Sequence, residues 1–393
     1  MKILWVKADY LHPTTKGGHI RTLETLKRLH RRHEVHYVAL DLAEQAGGVA
    51  RCGEYCTKSY PIPHSAPVRG SFSFLMQAAS NLFSKMPLAV SRYRSEGMRR
   101  QIETLVRAEK FDSVVCDFLF PAPNMPDLSS AVLFQHNVEA LIWKRQFDTA
   151  TNPLHRFYYQ SQYRRMLGYE GHACREAKSV IAVSEQDART MRSLYGVSRI
   201  SAVPTGVDLD YFTPDERPAP KADLVFTGSM DWVPNIDGIQ WFVEEVLPLI
   251  RKKRPECSLV IAGRRPTADI ERLAARDSRI RVTGTVDDIR PYLWESAVSI
   301  VPLRIGGGTR LKIYEAMAAM LPVVSTSIGA EGLDIRNGED IHIADTPEAF
   351  AERCLELLQD PERRRRMADV AFGIVASRYS WEVVALKFEE LLA

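Results

Sequence analysis

The stretch VPLRIGGGTRLKIYEAMAAMLPVVST, Val301 to Thr326, gathers residue types that handle phosphate. An apolar run ends near Leu303, glycines follow at 306 to 308, and a helix-like segment opens near Thr309. That order exposes backbone N–H groups at the positive end of a helix dipole, where phosphate binds. The glycines let oxygens reach the backbone, and Arg310 adds a forked, permanent cation, with Lys312 two residues on. On a wheel of about 100° per residue, Leu311, Tyr314, Ala318 and Leu321 form one stripe, and Glu315 falls beside Leu311. A carboxylate at a packed edge needs a partner, either an Arg or ligand hydroxyls. From Thr309 to Glu315 a helix rises about 9 Å, the reach from a diphosphate to a ribose or sugar ring. Phosphate at the glycines and hydroxyls at Glu315 together describe a nucleotide; the alternative is a plain tight turn with a solvated Glu315. Neither the Walker pattern nor the dinucleotide glycine fingerprint is present, which counts against ATP hydrolysis and NAD binding.

Short Val- and Ile-rich runs alternate with longer amphipathic stretches and must position these residues. They are KILWVK (2 to 7), EVHYVAL (34 to 40), SVVCDF (113 to 118), AVLFQH (131 to 136) and SVIAVS (179 to 184), then DLVFTGS (223 to 229), SLVIAGR (258 to 264), IRVTGT (280 to 285), AVSIVPL (297 to 303) and PVVSTS (322 to 327). Continuous apolar strands separated by helices predict parallel sheets covered on both faces, an α/β fold built twice. The stretch VPTGVDLDYFTPDERPAPKAD, 203 to 223, holds four prolines and little periodicity, and reads as the seam. The expected domains are 1–204 and 205–375, with a terminal helix over 376–393. Ligand is expected at the carboxyl ends of the strands, between the domains.

Composition narrows the classes. The 393 residues suit two domains, the charged fraction is 26%, and no apolar run approaches the ~20 residues that cross a bilayer. The opening MKILWVKADYLHP reads as a core strand, not a signal peptide, which predicts a cytoplasmic protein. Six scattered cysteines make neither a zinc pattern nor a disulfide framework. A net charge of +3 carries no nucleic-acid signature. Two basic, apolar stretches, 68 to 101 and 155 to 166, suit either contact with anionic lipid or ordinary helices with solvated basic faces. The run RRRR at 363 to 366 is expected to crown a helix in solvent.

The series VPTGVD, FTGSMDWVPNIDGIQWF, VIAGRRP, VTGTVDDIRPYL and GGGTRLKIYEAMAAMLPVVST, with KGGHIRT, FQHNVEALIWKR and AVSEQDA in the first half, resembles retaining GT-B glycosyltransferases, family 4-like, of the bacterial exopolysaccharide and glycolipid group. The resemblance implies two Rossmann-like domains, the first binding acceptor and the second a nucleotide sugar. It places Gly17 and Gly18 in the loop after the first strand and His136 beside the transferred sugar. It puts Gly228 and Ser229 at a turn close to the donor, and Arg264, Thr285 and Val286 in the walls of the base pocket. Gly307, Gly308, Thr309, Arg310, Leu311, Lys312 and Glu315 then cradle the donor, with Glu315 on its ribose. His136, Arg310 and Glu315 would carry catalysis. Two departures stand out: Gly307 occupies the position of the first acid of an E-x(7)-E pair, and Trp232 and Asn235 stand where an Arg and a Lys are common.

The implied reaction moves a hexose from a UDP- or GDP-type sugar to a hydroxyl of a glycan or lipid-linked acceptor, with retention. Charge builds on the departing diphosphate, where helix N–H groups, Arg310 and Asn235 would stabilise it. No metal or other cofactor is expected; the DLD at 208 to 210 sits in the linker turn. The competing readings are a nucleotide-sugar 2-epimerase of the same fold and a catalytically silent subunit that binds sugar nucleotides or partners.

Overall fold

The computed structural model describes residues 1–14, 17–42, 47–65, 76, 81, 84–150, 152–305 and 311–393. The chain folds into two compact units, Met1–Pro204 with Val384–Ala393, and Thr205–Val383. Each is built on a parallel sheet. The first contains β1 (Lys2–Lys7), β2 (Glu34–Leu42), β3 (Lys58–His64), β4 (Ser113–Asp117), β5 (Val132–Phe134), β6 (Ser179–Ala182) and β7 (Ile200–Ala202), in the order β3-β2-β1-β4-β5-β6-β7. The second contains β8 (Ala222–Thr227), β9 (Leu259–Ala262), β10 (Ile280–Val282), β11 (Ser296–Val301), β12 (Val323–Ser325) and β13 (His342–Ile343), in the order β10-β9-β8-β11-β12-β13.

The continuous apolar runs are the central strands. In β1, Ile3 to Val6 are wholly buried, and Ile3 and Leu4 stand in register with Val35 and His36 on one side and Ser113 and Val114 on the other. All six residues of β11 are buried between β8 and β12. The sequence reading misses β3, β7 and β13. In β3 the prolines 61 and 63 hide a strand: they are two residues apart, so both nitrogens that lack a hydrogen face the free edge of the sheet. The other two are only three and two residues long.

In each sheet the strand order reverses once, between β1 and β4 and between β8 and β11, which opens a crevice at their carboxyl ends. Helix Gly17–His30 follows β1 and helix Val233–Trp241 follows β8, so both begin at those crevices. The AVSEQDA motif is a capping device: Ser184 accepts from the Asp187 backbone N–H and bonds its carboxylate, and Gly196 at φ +67° ends helix Glu185–Tyr195. Helix Glu96–Ala108, within the basic stretch 68 to 101, buries Met98, Ile102 and Leu105 in the first core while Arg99 and Arg100 pair with Glu103 and Glu96. The rest of that stretch lies partly outside the described residues. Among the described residues no helix is long and apolar enough to cross a membrane.

The terminal helix Trp381–Glu390 carries Phe388, fully buried, with its ring 5.5 Å from Trp5 and 4.8 Å from Phe134. Phe388→Ala is expected to cost about 3–5 kcal/mol, read as a lowered urea midpoint. An unchanged midpoint would show that the Phe388 ring contributes nothing to the stability of the first unit.

Candidate active site

In the first unit the site grows from Asp117, the last residue of β4 and completely buried. One carboxylate oxygen accepts from Lys7 Nζ at 2.8 Å and His136 Nε2 at 2.6 Å; the other accepts from Trp5 Nε1 at 2.8 Å and Thr22 Oγ1 at 2.7 Å. Burial alone would raise its pKa, but the Lys7 ammonium and the His136 bond hold it well below the usual carboxylate range. His136 follows β5, and its Nδ1 lies 3.1 Å from Arg21 Nη1. A carboxylate only accepts and a guanidinium only donates, so the imidazole is the neutral tautomer with hydrogen on Nε2. Burial also pushes its pKa down to about 4. Arg21 is itself lowered by burial to about 10, opposed by Asp187 and Asp117, and stays charged at neutral pH.

Gly18 belongs to this group, since a Cβ there would stand 3.7 Å from His136 Nδ1. Gly17 opens the helix with nothing within 4 Å of its Cβ position. The resemblance pointed to His136 and Gly18 but gave no sign of Asp117, Lys7 or Arg21. Lys7 and Asp117 end adjacent parallel strands, a pairing that becomes visible only once the register Lys7↔Asp117 is known.

Three residues past His136, helix Glu139–Thr149 begins with two buried carboxyls in contact with its first turn. Glu170 accepts from the backbone N–H groups of Glu139 and Ala140, from Gln135 Nε2 and from the Tyr195 hydroxyl. Burial pushes both Glu139 and Glu170 up to about 7, against the bonds that favour the charged forms. Glu170 thus caps from another helix the segment that carries His136.

In the second unit the site forms where β8 and β11 part. Lys312 Nζ donates to Asn235 Oδ1 at 2.9 Å and lies 4.1 Å from the Phe226 ring centroid. Asn235, almost fully buried, donates through Nδ2 to the Ser229 carbonyl at 2.7 Å. Gly228 has φ +156°, and a Cβ on it would come within 2.8 Å of both Lys312 Nζ and Asn235 Nδ2, so the turn favours glycine. Gly263 is under the same constraint from the other side, its Cβ position 1.8 Å from the Gly228 carbonyl oxygen. Arg264 Nε donates to Ser229 Oγ at 3.0 Å. The group Gly228, Ser229, Asn235, Arg264 and Lys312 is therefore assembled.

Glu315 is one turn beyond Lys312 on helix Leu311–Ala318. Its carboxyl is pushed up to about 7 by burial, against the nearby Lys312, and among the described residues its side chain makes no hydrogen bond or ion pair. Tyr314, Ala318 and Leu321 of the expected stripe are buried, together with Ile313, Ala316 and Met317, while Leu311 is only half-buried and Leu321 lies past the helix end, beyond Met320 at φ +55°. The wheel ran the helix three residues too far, so Leu321 packs from beyond the helix rather than from its face. Arg304, beyond β11, is a further cation at this end, held bidentate by Asp237 at 2.6 and 3.1 Å. Thr285 and Val286 line, with Arg281, Thr283 and Tyr292, a cavity of about 700 Å³. Gly307, Gly308, Thr309 and Arg310 lie outside the described residues.

Residues 15–211 match Glycosyltransferase Family 4, and residues 221–360 match Glycosyl transferases group 1. The chain belongs to the GT-B glycosyltransferases of family 4 type. The enzyme is 23% identical over 99% of both chains to an "uncharacterized 44.6 kDa protein in cps region" of Klebsiella pneumoniae. It is 27% identical to a GDP-mannose-dependent mannosyltransferase of phosphatidylinositol monomannoside from Corynebacterium glutamicum, over 53% of this chain and 60% of that one. Among solved structures, Anabaena HepE in complex with UDP and glucose superposes with a TM-score of 0.64 at 14% identity, covering 100% of this chain and 99% of that one. This glycosyltransferase therefore shares its two-Rossmann architecture with chains of very different sequence.

Asp117 supplies a direct test of the first-unit network. Asp117→Asn strands Lys7 in the interior and is expected to cost about 3–5 kcal/mol in urea unfolding. Adding Lys7→Met should restore part of that loss; a single variant as stable as the parent would remove the charge pair from the account.

Proposed function

We propose that this glycosyltransferase moves a hexose from a nucleotide diphosphate sugar to a hydroxyl of a glycan or lipid-linked acceptor, with retention at the anomeric carbon. The observation that carries the donor side is the group Lys312, Asn235 and Gly228 at the second crevice, with Glu315 one turn along the same helix. Lys312 and Glu315 are three residues apart and share a helix face. An ammonium at one end and a carboxylate short of hydrogen-bond donors at the other suit a diphosphate followed by ribose hydroxyls. The named donors of relatives support the class: one is GDP-mannose-dependent and another was solved with UDP and glucose.

The bond from the anomeric carbon to the diphosphate oxygen breaks, and the electrons stay on the diphosphate. Lys312, already fixed against Phe226 and Asn235, stabilises that charge with little reorganisation. The acceptor oxygen bonds to the anomeric carbon on the face the diphosphate leaves, and its proton passes to the departing diphosphate. His136 acts at the sugar as a neutral ring or through its carbonyl; with both nitrogens engaged, it is not the base. No metal step is invoked. Membrane contact through the exposed Leu154 and Phe157 of helix Pro153–Glu176, and a role in exopolysaccharide or glycolipid assembly in the cytoplasm, complete the reading.

Thermal unfolding against UDP, GDP, ADP and TDP sugars tests it, since a ligand at a hundred times its Kd adds about 2.7 kcal/mol. One base should raise the midpoint, and Lys312→Ala should weaken that ligand about 10- to 100-fold. No shift with any nucleotide would favour the silent-subunit reading, and interconversion without acceptor would reveal an epimerase. The anomeric configuration of the product, read by NMR, decides retention.

Glu315 adds a pH dependence. Its carboxyl titrates near 7 because burial disfavours the charge, and only the charged form accepts two ribose hydroxyls well. The phosphates of a nucleotide sugar do not titrate there, so affinity should rise between pH 6 and 8, and Glu315→Gln should flatten the curve. The same slope in the variant would exclude Glu315 from the ribose site.

A further inference from the structure

The run Arg363 to Arg366 does not act as one solvated face. It opens helix Pro361–Arg378, whose N-cap is Asp360. Arg363 pairs with Glu356, Arg365 lies 3.9 Å from Asp369, and Arg366 lies 3.6 Å from Glu362. Arg364 differs: among the described residues it forms no ion pair and only reaches the Leu357 carbonyl at 3.4 Å. It lines a cavity of about 360 Å³ together with Arg217 and Arg365. Arg217 Nη2 donates to the Met320 carbonyl at 2.6 Å, and its only ion partner among the described residues is Asp369 at 3.7 Å. Three arginines thus line one concave site that no carboxylate among the described residues lines, with Asp369 near Arg217 and Arg365 but not a lining residue, beside the positive end of an 18-residue helix.

Like charges converge here at a cost. Burial holds both Arg217 and Arg364 below the ordinary arginine range; Arg364 and Arg365 oppose Arg217, and Arg254 opposes Arg364. Asp369 and Asp223 only partly offset that. An anion would relieve the repulsion. Apart from Ser296 the remaining walls are apolar, including Trp294, Leu321, Pro218 and Pro322, and Trp294 is fixed by a 2.6 Å bond from Nε1 to the Phe212 carbonyl. The cavity also contacts Pro220, Ser296 and Pro322, at the amino ends of β8, β11 and β12. Gly228 and Lys312 lie at the other end of these strands, and six residues of β11 span about 20 Å. The cavity is therefore separate from the donor group.

We propose that Arg217, Arg364 and Arg365 form a second anion site, which takes a phosphate or diphosphate group attached to an apolar moiety. The shared chemistry is a phosphate held by guanidinium forks with its organic part against Trp294. This assignment stands independently of the donor and acceptor proposed above.

Hydrogen exchange of the full chain, with inorganic pyrophosphate in one arm and phosphatidic acid vesicles in the other, tests it against neutral vesicles. The expected result is slowed exchange in 217–222 and 361–367. Arg364→Gln and Arg217→Ala should each raise the concentration needed about tenfold or more, whereas Lys312→Ala should leave it unchanged. Protection by pyrophosphate shows that the guanidiniums hold the phosphate group whatever it is attached to, and protection by the charged vesicles alone assigns a lipid headgroup. Protection by neither, or protection that persists in both arginine variants, overturns the site.

Discussion

Parallel strands cannot be joined by tight turns, so every crossover in both sheets must return over a face and bury it. From that constraint follow the continuous apolar strands, the helices that open at carboxyl ends, and a single reversal of strand order in each sheet. At a reversal the two neighbouring crossovers leave in opposite directions, and nothing fills the space above the strand ends. Both groups of polar side chains described here stand at such points, after β1, β4 and β5 in the first unit and after β8 and β11 in the second.

The two groups solve the cost of buried charge differently. In the first unit the central groups are saturated: Asp117 has four donors, and both nitrogens of His136 are engaged. A network satisfied to that degree is rigid and fixes one tautomer. In the second, the Glu315 carboxyl is buried far enough to titrate near neutrality yet, among the described residues, has no bond to hold it charged. The first arrangement suits a fixed surface, and the second suits a pocket that a ligand completes.

Legibility in the sequence followed the same physics. Ten strand segments and the α/β class could be read because double-sided burial forces Val and Ile into unbroken runs, as in β1 and β11. What escaped was local or non-local for identifiable reasons: β3 is interrupted by prolines tolerated only at an edge, and β7 and β13 are too short to show a period. Gly228 could be singled out because the resemblance carried it, Asn235 because it departs from the family pattern, and Lys312 because it follows the glycines as a cation. The Lys7–Asp117 pair could not, because it joins residues 110 apart through a strand register that no local pattern encodes.

Substituting Asn235 for a cation changes how positive charge is supplied at the second crevice. A second ammonium beside Lys312 would repel it, whereas the Asn235 carbonyl accepts from Lys312 and its amide is fixed by the Ser229 carbonyl. The result is an ammonium with a defined direction, held over an aromatic face and hemmed in by a glycine whose Cβ position lies 2.8 Å from it. For a reaction in which charge accumulates on a leaving diphosphate, alignment of a donor in advance is worth more than additional mobile charge, because the cost of orienting it has been met in folding. On the proposed reading, the departure at Asn235 exchanges net charge for preorganisation.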